Sequence, residues 1–560
     1  MTTETAGDTI DGATILARSL KQQGVDYIFG VVGFPITQFA TASQREGITY
    51  IGMRNEQAAS YAAQAAGYLT GRPQACAVVS GPGVVHALAG LANAQSNCWP
   101  MILIGGASAI YHNGMGAFQE ENQVMAASLF SKYAHAVEDA ARIPFYVEQA
   151  VRHSLHGRPG ASYLDLPDDI LNEQIDASKV QAAATVPDAP RPSVPQENIA
   201  AALDAVKSAE NPLVIVGKGM AWARAEHEVR DFIDRTRLPY LATPMGKGVI
   251  SDDHELSVAA ARTYALQNAD LVVLLGARLN WILHFGLPPR FKPDVRVVQL
   301  DIAAEEIGRN VPAEVALVGD GKAVMTQLNQ ALEDDPWQYP EESTWRTGLA
   351  SGAEENIALT EAMMADDSTP MNYQRVLKDI RDTIPADAIT VSEGASTMDI
   401  GRTILMNHDA RTRLDAGTYG TMGVGMGFAI AAAVTNPGKR VIAVEGDAAF
   451  GFSGMEVETM VRYNLPITTI VINNNGIGGG PSELDPDRPP PPSAMLPGAR
   501  YEKVIEAFGG RSFFVDQPDE LLPALTAANE GDGPAVINIA IDPRARRKPQ
   551  QFQWHTGRAD

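Results

Sequence analysis

With 560 residues, the chain is long enough for about three or four cores of roughly 100–200 residues each, which excludes a single small domain. An apolar fraction of 45% and a charged fraction of 20% lie near the globular average and exclude disorder along the whole length. The 67 acidic against 44 basic residues leave a net charge of −23, a field that repels phosphate backbones and anionic lipid, so nucleic acid and membrane surfaces are not expected as partners.

In chain order, Met1–Asp8 is polar and acidic, without the basic and apolar regions of a secretory signal. Apolar runs at Tyr27–Val32, Ile48–Gly52, Ala75–Val79 and Met101–Ile104 read as buried strands, and Ala58–Tyr68 and Val84–Ala94 as the helices between them. Cys76 and Cys98 lack metal-ligand spacing, sit in apolar surroundings and read as buried packing residues. Ala182–Pro195, rich in Pro and Ala, reads as a linker. A second unit opens near Asn198, with strands at Leu213–Val216, Leu271–Leu275 and Val295–Leu300, and its end is blurred by the polar stretch Glu333–Ser368. The third has strands at Ile389–Ser392, Arg440–Glu445, Ile467–Ile472 and Ala535–Ile541. Strands alternating with helices predict an α/β protein of three doubly wound parallel-sheet domains, at 1–181, 196–345 and 366–545. The segment 546–560 remains as a basic tail, expected to close over an anionic ligand. No run approaches the ~18 apolar residues of a membrane span, and a cytoplasmic setting is expected.

The strongest motif begins where a strand ends, at Val444-Glu445-Gly446-Asp447-Ala448-Ala449-Phe450. A helix pattern over Gly454–Tyr463 follows, then the strand Ile467–Ile472 and Asn473-Asn474-Asn475-Gly476. A carboxylate and an amide at the ends of two strands of one parallel sheet share its carboxyl edge, where open α/β sheets bind ligands. Asp447, the Asn474 side-chain oxygen and the Gly476 carbonyl would supply hard oxygen ligands for Mg²⁺. The small Gly446, Ala448 and Ala449 let backbone N–H groups approach a phosphate. A Gly-Asp pair alone is ordinarily a turn; joined through a helix and a strand to Asn-Asn, it is far more specific.

This constellation resembles the thiamin-diphosphate (ThDP) binding motif, Gly-Asp-Gly followed by Asn-Asn, with Ala448 in place of the third residue. Enzymes of that family also use a glutamate on a different domain against the cofactor's pyrimidine ring, and Glu56, in Met53-Arg54-Asn55-Glu56-Gln57, matches it. Within Thr418–Gly427, Met422 resembles the apolar wedge that bends the cofactor, and Gly33 and Thr397 join the implied binding set. The resemblance implies that Glu56 protonates the pyrimidine and so promotes a carbanion at C2 of the cofactor.

The stretches Gly30–Thr37, Gly276-Ala277-Arg278-Leu279-Asn280-Trp281 and Glu445–Tyr463 resemble oxalyl-CoA decarboxylases and 2-hydroxyacyl-CoA lyases. The decarboxylases carry a Tyr-Glu pair where this chain has Phe118-Gln119, and a tyrosine where it has Gly478. Phe34, Phe118, Gln119, Ile477 and Gly478 would then line a roomier, more apolar pocket, suited to a branched 2-hydroxyacyl group as in bacterial 2-hydroxyisobutyryl-CoA lyases. The implied reaction cleaves the 2-hydroxyacyl-CoA to formyl-CoA and a ketone or aldehyde, reversibly. Gln119 would orient the thioester oxygen and Glu483 carry a proton, whereas His86 reads as a structural residue at a helix start. Oxalyl-CoA decarboxylase is the alternative activity, and a regulatory or CoA-sensing ThDP-fold protein the non-enzymatic one. The acidic chain would need local cations for so anionic a substrate: Arg402, Arg546 and Arg547 are candidates for CoA, and Arg158, Lys218, Arg278 and Asp301 for ADP. The family also implies a homodimer at minimum, and a homotetramer by extension.

Overall fold

The computed structural model describes residues 8–547, so the expected lid beyond Arg547 lies outside the described residues. The chain divides into two compact units. One holds the chain up to Ala189 together with Thr418–Gly438 and Phe450–Ile467; the other holds Pro190–Gly417, Lys439–Ala449 and the chain from Thr468. Three parallel α/β sheets carry the architecture, and two segments of the third sequence region pack with the first unit.

In the first unit, β1 (Thr9–Asp11) pairs antiparallel with β8 (Gln174–Asp176) beside a six-stranded parallel sheet. That sheet holds β2 (Tyr27–Val31), β3 (Thr49–Gly52), β4 (Gln74–Val78), β5 (Met101–Ala107), β6 (Tyr133–Ala136) and β7 (Ala161–Pro167), in the order β3-β2-β4-β5-β7-β6. Every residue of β4 is buried, as in a sheet covered on both faces. Because β2 lies between β3 and β4, successive crossovers leave it in opposite directions, and a crevice opens at the strands' carboxyl ends.

After β3, Asn55 turns the chain into the helix Glu56–Thr70: its Oδ1 accepts from the N–H of Gln57 at 2.8 Å, and Gly71 ends the helix at φ 82°. This alanine-rich helix is buried because its neighbours come unusually close. A Cβ on Gly90, in the helix Pro82–Asn97, would fall 2.0 Å from Ser60 Oγ. One on Gly427, in the helix Gly425–Thr435, would fall 2.6 Å from the Ala58 carbonyl oxygen.

The second unit carries two parallel sheets. The first runs β10-β9-β11-β12-β13, from β9 (Pro212–Val216), β10 (Tyr240–Ala242), β11 (Leu271–Leu275), β12 (Arg296–Asp301) and β13 (Val315–Val318). The second runs β15-β14-β16-β17-β19-β18, from β14 (Ile389–Glu393), β15 (Arg413–Asp415), β16 (Val441–Gly446), β17 (Ile467–Asn473), β18 (Arg511–Val515) and β19 (Ala535–Ala540).

Three features depart from the sequence reading. The blurred stretch 333–368 contains a helix, Thr344–Met364, whose Trp345 donates its indole N–H to the Pro212 carbonyl at 3.0 Å. That helix therefore carries the core of the middle sheet past residue 345. The expected helix Gly454–Tyr463 is broken into a 3₁₀ turn, Gly454–Glu456, and a short helix, Val457–Arg462. The Pro/Ala stretch 182–195 has no helix or strand but is held down. Gln23 bonds Ala184 and Val186, Arg72 bonds Val186, and Val194 bonds Gln327.

Candidate active site

Glu56 is the first residue of its helix, so its carboxylate stands at the positive end of the helix dipole. Its side chain is only 16% exposed, and Oε2 lies 3.1 Å from Nδ1 of His86. This corrects the reading of His86. The helix starts at Pro82, a turn earlier, and the imidazole faces the glutamate rather than serving the helix end.

Gln119 adopts φ 56°, and its Oε1 accepts from Ser80 Oγ at 3.4 Å. Gly81 packs so tightly here that a Cβ would reach the Gln119 carbonyl oxygen at 2.6 Å. Gln123 holds the Gly81 N–H through its Oε1 at 2.5 Å, while its Nε2 donates to Asp165 Oδ1 at 2.6 Å. Glu120 gathers the N–H groups of Gly114, Gly116 and Ala117, which holds its carboxyl below the usual range. The loop so built projects Phe118, 67% exposed, edge-on to Phe34 with ring centroids 6.1 Å apart. Gly33 presents bare backbone beside Val79, whose Cγ1 leaves no room for a Cβ. Glu56, Phe34, Gly33 and the Phe118-Gln119 loop thus all belong to the carboxyl side of one sheet. Met422, half-buried, lies in a segment pinned by Thr418 N–H to Asn97 Oδ1 at 2.8 Å and by Thr421 Oγ1 to Asn93 Oδ1 at 3.3 Å.

In the second unit, β14 and β16 are adjacent, and the turns after them touch: a Cβ on Gly394 would lie 3.1 Å from the Gly446 nitrogen. The helix Ala395–Ile404, with buried Thr397 in its first turn, starts at this point, so its free N–H groups and the small-residue turn Gly446–Ala449 form one anion-accepting edge. Asp447 is buried; its Oδ1 accepts from the Ala448 N–H at 2.8 Å, and its Oδ2 has no partner. Burial pushes its carboxyl up to about 6.

The Asn474 amide oxygen lies 2.8 Å from the Gly476 carbonyl oxygen and 3.2 Å from Asp447 Oδ1. Three acceptors converge without a proton between them. Turned over, the amide would donate to both; with its oxygen inward, the spacing matches the ~3 Å edges that ligand distances of 2.0–2.1 Å give an octahedral Mg²⁺. The residues therefore fit a hard cation together with a diphosphate.

Sequence reasoning missed Tyr373, whose hydroxyl accepts from Asn474 Nδ2 at 2.8 Å and bonds Ser396 and Thr397. As the first residue of an amphipathic helix it reads as core. It also missed the buried pair Glu393 and Glu445, in register on β14 and β16. Burial first, and the facing Glu393 second, push the Glu445 carboxyl well above the usual range.

Ile477 is exposed, and a Cβ on Gly478 (φ 74°) would meet nothing within 4 Å. Glu483 is exposed on the Gly/Pro loop. Lys218, Arg278 and Asp301 follow or end β9, β11 and β12, three adjacent parallel strands, so they share one sheet edge. Arg158 belongs to the first unit, where its carbonyl accepts from Lys132 Nζ at 2.7 Å.

The expected CoA arginines hold partners within the fold. Arg402 pairs with Asp399 at 2.9 Å and Asp415 at 3.2 Å, Arg547 also pairs with Asp399, and Arg546 donates to the Gly478 carbonyl at 3.2 Å. Arg402 and Arg547 thus share Asp399, and Arg402 shares Asp415 with the buried Arg413. Further cations lie close to Arg402: Arg262 feels the charges of Arg290, Arg402 and Asp399. Burial and neighbouring cations bring Arg262 down to about 10, and His284, beside Arg262 and Arg290, down to about 3.

A parallel-sheet crevice carrying a helix-borne glutamate, together with a Gly-Asp turn whose acceptors converge with an Asn, defines a ThDP-enzyme chain. Comparison with known families agrees: residues 10–127 match the thiamine pyrophosphate enzyme N-terminal TPP binding domain, 199–328 the central domain and 393–539 the C-terminal TPP binding domain. The chain belongs to this family, in which thiamin diphosphate (thiamine pyrophosphate) is the cofactor. It is 49% identical to human 2-hydroxyacyl-CoA lyase 1, over 99% of this chain and 98% of that protein. It is 44% identical to Arabidopsis thaliana 2-hydroxyacyl-CoA lyase (98% and 99%), and 41% to Escherichia coli K12 oxalyl-CoA decarboxylase (96% and 95%).

Proposed function

We propose that the protein is a Mg²⁺- and ThDP-dependent carbon–carbon lyase that cleaves 2-hydroxyacyl-CoA, with a preference for branched chains such as 2-hydroxyisobutyryl-CoA, to formyl-CoA and a ketone or aldehyde. The observation that carries the reading is full-length similarity to 2-hydroxyacyl-CoA lyases in a chain that retains Glu56 and the Asp447–Asn474–Gly476 acceptor cluster. When bound, ThDP supplies a nucleophilic carbon that adds to the thioester carbonyl and holds the electron pair released when the neighbouring C–C bond breaks.

The protein's own groups do the rest. Asp447, Asn474 and the Gly476 carbonyl would hold Mg²⁺, while the N–H groups of Gly446–Ala449 and the Thr397 helix receive diphosphate oxygens. Glu56 holds a proton at the cofactor's pyrimidine nitrogen, with His86 fixing its carboxylate. Gln119, set by Ser80 and Gly81, orients the thioester oxygen through its amide. Phe34 and Phe118 exclude water, and Gly478 leaves space where a tyrosine would stand. One proton leaves the 2-hydroxyl and one joins the formyl carbon, so no oxidant or reductant is needed. Glu483 is the loop acid available to carry it.

Arg262 and Arg290, near Arg402, are further cations that could meet a CoA phosphate in a chain of net charge −23, whereas His284 beside them, held down to about 3, stays neutral. Lys218, Arg278 and Asp301 suit an ADP at the middle sheet, Lys218 and Arg278 for phosphate and Asp301 for ribose. A homodimer, and by extension a homotetramer, accounts for the large apolar residues exposed in the first unit, among them Tyr111, Met115 and Leu129. A cytoplasmic setting fits; among the described residues no helix is long and apolar enough to cross a membrane.

The test is direct. Protein, ThDP and Mg²⁺ are incubated with 2-hydroxyisobutyryl-CoA or with oxalyl-CoA. Acetone and formyl-CoA are expected from the first; CO₂ from oxalyl-CoA without acetone from its rival would overturn the assignment in favour of a decarboxylase.

A further inference from the structure

Between Gly52, the last residue of β3, and Glu56 the chain has no regular structure, so its backbone groups need partners from elsewhere. The Met53 N–H bonds the Gly30 carbonyl at 2.8 Å, and several other partners come from one short stretch. Tyr463 Oη accepts from the Gly52 N–H at 2.9 Å, and Arg462 donates to the Gly52 carbonyl at 2.7 Å. Glu456 Oε1 accepts from the N–H groups of both Arg54 and Asn55, at 3.0 and 3.1 Å. The other oxygen, Oε2, accepts from Thr459 Oγ1 at 2.7 Å, and Arg462 is itself held by Glu458 at 2.9 Å. All of these groups lie in the first unit.

Glu456 is 1% exposed, and burying a carboxyl group costs free energy unless its oxygens are satisfied. Burial lifts this one to about 7. A nonpolar side chain would avoid that cost but would orphan two backbone N–H groups in the turn that delivers the Asn55 cap and Glu56. Because Asn55 both donates this bond and caps the helix, the grip on its N–H fixes where the helix begins, and with it the backbone that carries Glu56. The break of the expected helix into a 3₁₀ turn is what presents Glu456 to this loop.

We propose that Glu456 is a positioning residue for Glu56, with Arg462 and Tyr463 as the other jaws of a clamp on residues 52–55. The proposal rests on the reading of Glu56 as the cofactor-facing acid.

The test uses the full chain without cofactor, so that it does not depend on turnover. Hydrogen exchange of peptides covering residues 50–58 is compared in wild type, Glu456→Ala and Glu456→Gln, with Glu56→Gln as control. Loss of the clamp should speed exchange about tenfold in Glu456→Ala, while Glu456→Gln, which keeps an acceptor oxygen, stays near wild type. After ThDP and Mg²⁺ are added, Glu456→Ala should lose kcat about tenfold with the KM for the acyl-CoA within about twofold, and Glu456→Gln should recover most of the loss. Unchanged exchange in a folded Glu456→Ala, or a Glu456→Gln as impaired as Glu456→Ala, overturns the proposal. If Glu456→Ala does not fold, Tyr463→Phe decides: faster exchange at the Gly52 amide supports the clamp, and unchanged exchange refutes it. A Glu56→Gln variant that keeps full turnover would instead sink the role of Glu56 and leave the exchange result standing.

Discussion

Gly427→Ala tests how closely the Glu56 helix is packed. A Cβ at this position would stand 2.6 Å from the Ala58 carbonyl oxygen and 3.1 Å from Tyr61 Cβ, against ordinary contact at 3.4–4 Å. Neither contact can yield by rotating a side chain, because one is backbone and the other a Cβ. The two helices must therefore separate by about 0.8 Å or deform, which places the substitution among overpacking changes costing about 1–3 kcal/mol. Ala58 is two residues from Glu56, so the same shift moves the carboxylate. Displacements near ~1 Å at a catalytic group can cost as much as ~100-fold in rate.

The matched control is Gly401→Ala, in the helix Ala395–Ile404, where the nearest atom to a Cβ is Leu405 Cδ1 at 3.6 Å. There the gain in helix propensity, about 1 kcal/mol, goes unopposed. Melting at a fixed scan rate should show Gly427→Ala lowered by several degrees and Gly401→Ala unchanged or raised. A Gly427→Ala protein that melts with or above wild type and turns over normally would refute the close approach of these helices.

Three further outcomes follow from the site. Dialysis against a chelator should abolish turnover and Mg²⁺ restore it, while Asp447→Ala should weaken ThDP binding at least ~100-fold by calorimetry, since the cluster loses its one carboxylate. His86→Ala should lower kcat about tenfold with little change in KM, as Glu56 loses its neighbour at 3.1 Å; equal kinetics would show the contact to be idle. Glu456 bears on the pH dependence of stability. Its folded value of about 7 lies above the ordinary 4.5, so the folded state binds its proton more tightly than the unfolded one. The stability this contributes is complete below about 4.5 and is lost as pH rises through about 7, by at most ~3 kcal/mol. Arg462 is the opposing charge nearby. Glu456→Gln should therefore gain on wild type in melting temperature between pH 6 and pH 8.5, and a constant difference would contradict the burial of this carboxyl.

The sequence alone was sufficient for strands written as apolar runs: the expected Leu271–Leu275 is β11 without change, and Tyr27–Val32 differs from β2 by one residue, whereas β7, inside the first sheet, was not read. It was also sufficient for the family, because the Gly-Asp…Asn-Asn motif and Glu56 stand at strand ends, where local pattern and chemistry coincide. Short edge strands such as β15, Arg413–Asp415, were invisible. Three residues carry no period, and this one is a strand only because its neighbour β14 supplies the hydrogen bonds.

Charge balance, too, needed tertiary structure. Of the expected CoA arginines Arg402, Arg546 and Arg547, folding sets Asp399 against Arg402 and Arg547 and Asp415 against Arg402, and it gathers Arg262 close to Arg402 and Arg290. Asp399 stands three residues before Arg402 on one helix, but the convergence of Asp415 and Arg547 on that pair shows in no local pattern, because Coulomb energy depends on distance in space. The same holds for Tyr373 at Asn474, His86 at Glu56 and Glu456 beneath the Asn55 cap. Sequence determined which residues carry the chemistry. Tertiary structure decided which neighbours orient them, because hydrogen bonds reach only about 3 Å and only the folded chain brings those groups within that range.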